Sequence, residues 1–157
     1  MWMREIEYYN KFSDKINCGG FALNLDRWYF PYSDSNKRIE YIDNNSNLSI
    51  RDLYNRLLFK DTLFMLKEFK GKLFRIKSLK EVSDKDRVIA YRIGGMSYDP
   101  YLIDFHFRVR IDGSWYEKIG DDKVNKCNFT EDKWTVPTKD EEVNIIYDSD
   151  IIYFVLR

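Results

Sequence analysis

An α+β fold is predicted, because helical spacing of apolar residues precedes a series of short strand-like segments. The clearest helix covers residues 49–69, where Ser49 and Asp52 form a capping pair and Gly71 ends the helix. Beyond Gly71 the apolar residues follow the period of strands. The predicted strands cover residues 73–77, 87–92, 102–111, 114–119, 143–147 and 151–156.

Length and charge limit the function classes. The chain has 157 residues and no Gly/Ser-rich or Pro-rich linker, so a single domain over residues 1–157 is expected. Its 26 Lys and Arg residues balance 26 Asp and Glu residues, which argues against nucleic acid and a membrane surface as partners. No apolar run is long enough to span a bilayer and the first residues do not read as a signal peptide, so a cytoplasmic protein is expected.

Residues 28–32 form an aromatic segment that contains a tryptophan, two tyrosines and a phenylalanine. Two interpretations are open. The segment either flanks a substrate as a loop, or it closes one end of the core, since large aromatic side chains usually serve burial.

The predicted strand 102–111 alternates strictly between apolar and polar side chains. We expect its apolar face, with Phe105 and Phe107, to point to the core. The other face carries Asp104, Arg108 and His106, the only histidine of the chain. His106 is therefore expected to face solvent or a cleft.

The pair Asp112-Gly113 is a strong signal for a two-residue hairpin turn. This turn places Arg108 opposite Glu117, with Glu117 diagonal to His106 on the same face. Glu117 then has two candidate roles, an ion pair with Arg108 across the hairpin or orientation of the His106 imidazole. Asp104 is the alternative residue for orienting His106.

Asn17 is a favoured helix N-cap, so a short helix over residues 18–25 is predicted with Cys18 at its amino end. The helix dipole and unpaired N–H groups lower the pKa of a thiol at that position, and they stabilise an oxyanion. The alternative is that Cys18 is a small buried hydrophobic residue. Cys127 lies in a polar segment and is expected to be an incidental thiol.

A cysteine that attacks a carbonyl needs a nearby base and a group that orients the base. The chain offers Cys18, His106 and Glu117 for these roles, with no cofactor or metal expected. A metal site built from Cys18, His106 and Cys127 is a further hypothesis.

The order of these segments resembles the papain-like fold of NlpC-type bacterial peptidases. The resemblance rests on Asn17-Cys18 followed by Phe21-Ala22-Leu23, and on residues 86–91, 104–107 and 113–118. It implies amino-terminal helices packed on a small antiparallel β-sheet, with Cys18 as nucleophile, His106 as base and then acid, and Glu117 as the orienting residue. Relatives of this type often cut bacterial cell-wall peptides, which implies a peptide or protein substrate.

Two functional hypotheses follow. The first is a thiol hydrolase or amidase that splits an amide bond through a thioester. The second is a catalytically inactive papain-like scaffold that binds a protein partner through residues 28–32.

Overall fold

The computed structural model describes residues 3–31, 35–138 and 143–157. Within these residues the helices are α1 (Ile6–Lys11), α2 (Cys18–Ala22), α3 (Ser35–Asn44) and α4 (Ile50–Glu68). The strands are β1 (Leu73–Ile76), β2 (Arg87–Met96), β3 (Asp99–Ile111), β4 (Ser114–Lys118), β5 (Val124–Lys126), β6 (Trp134–Pro137), β7 (Asn144–Tyr147) and β8 (Ile152–Leu156).

The described strands form one antiparallel sheet in the order β1-β8-β2-β3-β4-β5. The end of β2 also pairs with β7, and β6 pairs with β7. Helices come first in the chain and strands follow, so the predicted α+β class with an antiparallel sheet is confirmed.

The long helix is confirmed almost to the residue. The hydroxyl of Ser49 accepts the N–H of Asp52 at 3.2 Å, and the helix ends before Gly71, whose φ is +83°. The helix predicted over residues 18–25 is shorter, because Asn24 adopts a left-handed φ of 58° and the N–H of Leu25 donates back to the carbonyl of Gly20.

All six predicted strands are present, and β2 and β3 are longer than predicted. Helices α1 and α3 and strands β5 and β6 were not predicted. Their segments are short or rich in polar residues, so their packing partners rather than their own patterns identify them.

Both faces of the sheet around β3 are covered by apolar clusters. Phe107 and Val109 belong to a cluster with α2 and α4, whereas Trp134 and Tyr147 belong to a second cluster on the opposite side. His106 stacks on Tyr147, with ring centroids 5.2 Å apart, and is only 3% exposed. His106 therefore does not face open solvent, because β6 and β7 cover the polar face of β3. It lines a cavity instead, which agrees with the second half of the expectation, that it faces a cleft.

In the part of the chain that the structure describes, no helix is both long and apolar enough to cross a membrane.

Candidate active site

The β3–β4 hairpin brings together His106 on β3 and Glu117 on β4. Arg108 pairs with Glu117, and Ile111 pairs with Ser114, as the sequence predicts. Asp112 and Gly113 at the turn have φ values of 50° and 80°, which a two-residue turn of this kind requires. The register of the hairpin therefore brings Glu117 beside His106.

Glu117 makes both of the contacts that the sequence left open. His106 Nε2 lies 2.8 Å from Glu117 Oε1, and the Nε of Arg108 donates to the same oxygen at 3.3 Å. Burial alone would raise the pKa of Glu117, but the hydrogen bond and charge of His106 and the charge of Arg108 lower it below its usual value. Glu117 is therefore a carboxylate at neutral pH. Because Nε2 of His106 contacts Glu117, Nδ1 is the ring nitrogen that remains for another partner.

Asp104 has different partners from Glu117. Its Oδ2 accepts the hydroxyl of Tyr147 at 2.9 Å, and its Oδ1 accepts the N–H of Phe105 at 2.9 Å. In the described residues Asp104 makes no hydrogen bond to His106. The geometry thus gives the imidazole contact to Glu117 rather than to Asp104.

Cys18 begins α2, as predicted, and the Asn17 side chain fixes this position. Asn17 Oδ1 accepts the N–H groups of Gly20 and Tyr29, both at 2.9 Å. The carbonyl of Asn17 accepts the N–H of Phe21. These bonds leave the N–H of Cys18 itself without a hydrogen-bond partner among the described residues, so it is the main-chain donor available to an oxyanion.

A cavity of about 310 Å³ joins the predicted residues. Its lining includes Cys18, Asp104 and His106, together with Gly120 and Tyr147. The structure therefore brings Cys18 and His106 to one cavity, and Glu117 contacts His106 from the neighbouring strand.

The electrostatics of Cys18 differ from the expectation. Burial, with a further contribution from the negative charge of Asp104, raises the pKa of the Cys18 thiol to about 12. Hydrogen bonds from the N–H groups of Phe107 and Gly19 act in the opposite direction but do not offset it. The predicted lowering is wrong, because a helix of five residues contributes less than the loss of solvent does.

The aromatic segment divides its side chains between the core and the cavity. Tyr29 is buried in the core, whereas Trp28 and Phe30 line the cavity and are 42% and 54% exposed. Tyr32 lies outside the described residues. The segment thus closes the core with one side chain and forms the rim of the cavity with two.

Two residues of the site were missed from the sequence. Tyr147 binds Asp104 and stacks on His106, and the buried Lys118 lies directly after Glu117 on β4. The strand pattern of residues 143–147 was recognised, but its pairing with β2 is a long-range contact that no local signal indicates. Lys118 lies on a predicted strand, and a charged residue at a position facing the core is the pattern that would have indicated its burial.

Cys127 is a free, half-buried thiol whose pKa burial raises to about 11. In residues 3–31, 35–138 and 143–157 no group of three or more His, Cys, Asp or Glu side chains is placed to hold a metal ion. The structure thus does not assemble the hypothetical site of Cys18, His106 and Cys127.

Comparisons with known proteins found no relative of this chain. No family model matches the chain, and neither a curated protein nor a solved structure shows significant similarity to it.

Proposed function

We propose that the protein is a thiol hydrolase or amidase of papain-like architecture, with Cys18 as nucleophile, His106 as base and Glu117 as the orienting residue. The observation that carries this proposal is the 2.8 Å contact between His106 Nε2 and Glu117 Oε1, made by a histidine that lines the same cavity as Cys18. A nucleophile, a base and an ionised orienting group are the parts that acyl transfer requires.

The chemistry follows from which ring nitrogen Glu117 engages. With Nε2–H donated to Glu117, Nδ1 of His106 has a lone pair that accepts the Cys18 proton. The sulfur attacks the carbonyl carbon, a C–S bond forms, and the carbonyl electron pair moves to the oxygen. Collapse of this intermediate expels the amine, which takes the proton from His106, and leaves a thioester on Cys18.

Water then completes the reaction. His106 accepts a proton from the water as the oxygen attacks the thioester carbon, and it returns the proton to the departing sulfur. The products are a carboxylic acid and the original thiol. Glu117 stays ionised throughout and stabilises the imidazolium that forms in each half of the reaction.

The raised pKa of Cys18 assigns a definite role to His106. A thiol whose pKa is about 12 is almost entirely protonated at neutral pH, so the nucleophile starts as a thiol. The base must then remove the proton during attack, and the reaction depends strongly on His106.

Acylation by p-nitrophenyl acetate tests the proposal without a known substrate. We expect one acetyl group on Cys18, located by peptide mass spectrometry after an acid quench. Cys18→Ser should abolish this acetylation, and His106→Ala should slow it by about 10²–10⁴-fold. Cys127→Ser is the matched control and should react like the unmutated protein.

Two results would contradict the proposed thiol hydrolase or amidase activity. One is acetylation of Cys127 at the same rate as Cys18. The other is a folded His106→Ala protein that acetylates Cys18 at the original rate.

The exposed rim favours a second candidate, the inactive papain-like scaffold that binds a protein partner. Trp28 and Phe30 are large apolar side chains left partly in solvent, and the raised pKa of Cys18 disfavours a reactive thiol. This candidate predicts no acetyl-Cys18 in the unmutated protein. Detection of acetyl-Cys18 that depends on His106 would reject it.

A further inference from the structure

Lys118 is a fully buried cation beside the candidate site. It is 0% exposed, and its Nζ donates to the carbonyls of Ser13 and Gly120, both at 2.5 Å. Successive strand residues point to opposite faces, so Lys118 points away from the Glu117 side of the sheet. Lysine is almost never buried without partners, and here two of its partners are backbone carbonyls. Burial lowers the pKa of Lys118 from its usual value, and the charges of nearby groups act in the opposite direction.

The two acceptors connect Lys118 to the nucleophile. Ser13 opens the 3-10 turn Ser13–Lys15, which leads directly into Asn17 and Cys18. Gly120 lines the same cavity as Cys18. Helix α2 also packs on β4, so the ammonium joins the segment before the nucleophile to the wall of the cavity.

Charged and titratable groups face this pair from several elements. Lys118 is influenced by Cys18 on α2, by Asp14 on the turn, and by Asp121 and Asp122 after β4. On the other side, Cys18 is influenced by Asp104 on β3, which disfavours the thiolate, and by Lys118, which favours it. His106 and Tyr147 complete the surroundings of Cys18 in the cavity.

We propose that Lys118 is a positioning residue for the thiol chemistry, whose buried ammonium joins the turn before Cys18 to the wall of the cavity and places a positive charge on the β4 side of α2. This inference rests on the proposed function. It implies that two residues of opposite charge, Lys118 and Asp104, influence the ionisation of Cys18 in addition to the roles proposed for His106 and Glu117.

Alkylation by iodoacetamide tests the charge, because the thiolate is the reacting form. Rates at Cys18 are measured from about pH 6 to pH 9 in the unmutated protein, Lys118→Met and Lys118→Arg, with Cys127 as the internal reference. We expect Lys118→Met to react about tenfold more slowly at each pH, which corresponds to an upward move of about one unit in the pKa of Cys18. Lys118→Arg keeps the charge and should stay within about twofold of the original rate. Near-ultraviolet circular dichroism and thermal unfolding establish that each variant is folded.

The outcomes separate a charge effect from a purely structural clamp. A folded Lys118→Met protein with the original rate profile overturns the proposal, and so does a Lys118→Arg protein as slow as Lys118→Met. If Lys118→Met does not fold, Lys118→Gln replaces it, because its amide still donates hydrogen bonds without a charge. If neither neutral variant folds while Lys118→Arg does, the charge serves folding alone and the proposal is overturned.

Failure of the proposed function is seen elsewhere, as the absence of acetyl-Cys18 in the unmutated protein. The alkylation comparison does not depend on that result, so the two failures are distinguishable.

Discussion

Two carboxylates lie close to His106, Asp104 on β3 and Glu117 on β4, and they bind different partners. Glu117 contacts two groups that carry positive charge when protonated, His106 and Arg108. Asp104 accepts hydrogen bonds from two neutral groups, the hydroxyl of Tyr147 and the N–H of Phe105. His106 and Arg108 lower the pKa of Glu117, whereas Asp104, in addition to burial, raises the pKa of Cys18. The comparison shows that the group each carboxylate reaches decides its effect on the chemistry.

The largest effect is expected for Glu117→Gln. The amide keeps the shape of the side chain but loses the charge that stabilises the imidazolium, so acetylation of Cys18 should fall by about 10²–10⁴-fold. Glu131→Gln is the matched control, because Glu131 accepts the hydroxyl of Tyr153 away from His106. Equal rates in Glu117→Gln and Glu131→Gln would remove Glu117 from the mechanism.

Tyr147→Phe tests the Asp104 side of the comparison through stability. The change removes the hydroxyl donor of the partly buried Asp104 Oδ2, which should lower the free energy of unfolding by about 0.5–1.5 kcal/mol. Tyr153→Phe removes a hydroxyl that binds the exposed Glu131, and it should cost less. Urea unfolding measures both variants, and an equal loss in the two would mean that Asp104 does not depend on Tyr147.

Asp104→Asn should change the reactivity of Cys18 in the direction opposite to Lys118→Met. Removal of the negative charge lowers the pKa of the thiol, so iodoacetamide should react about three- to tenfold faster at Cys18 and at the original rate at Cys127. A slower reaction at Cys18 would show that Asp104 assists the thiol rather than opposing it.

The smallest effect on the rate is expected at the turn that sets the register of Glu117 and His106. Gly113 and Gly71 have φ values of +80° and +83°, and an added Cβ meets no close contact at either position. An alanine at either site should therefore cost about 1–2 kcal/mol of stability from backbone strain alone. Only Gly113→Ala should also slow acetylation of Cys18, because only this turn fixes the hairpin register. A loss of rate in Gly71→Ala would attribute the effect to general destabilisation.

Local signals were sufficient for the parts of the molecule whose partners are close in sequence. Helix α4 follows from its own periodicity and cap, and the Asp112-Gly113 turn set the Arg108–Glu117 register correctly. The hairpin register is therefore the part of the candidate site that the sequence predicts most directly.

Long-range contacts account for what was missed. His106 is buried because β6 and β7 fold over its face, and those strands follow it by about thirty to forty residues. The pKa of the Cys18 thiol is raised because Cys18 is buried in the cluster that α2 forms with β3 and α4, which the helix-end argument did not include. The burial of Lys118 is of this kind too, because its acceptor Ser13 lies 105 residues away.

Asn17 has a mechanical consequence beyond its cap. Its amide group donates to the carbonyl of Tyr29 and accepts the N–H of Tyr29, both at 2.9 Å, so one side chain imitates the pairing of a strand. Tyr29 lies between the two exposed rim residues, Trp28 and Phe30, and Asn17 directly precedes Cys18, the proposed nucleophile. A bound molecule that displaces Trp28 and Phe30 is therefore expected to move Asn17 through its hydrogen bonds to Tyr29. Hydrogen exchange tests this linkage, because the amides of Gly20 and Tyr29 share Asn17 Oδ1 as acceptor and should lose protection together when Asn17 moves.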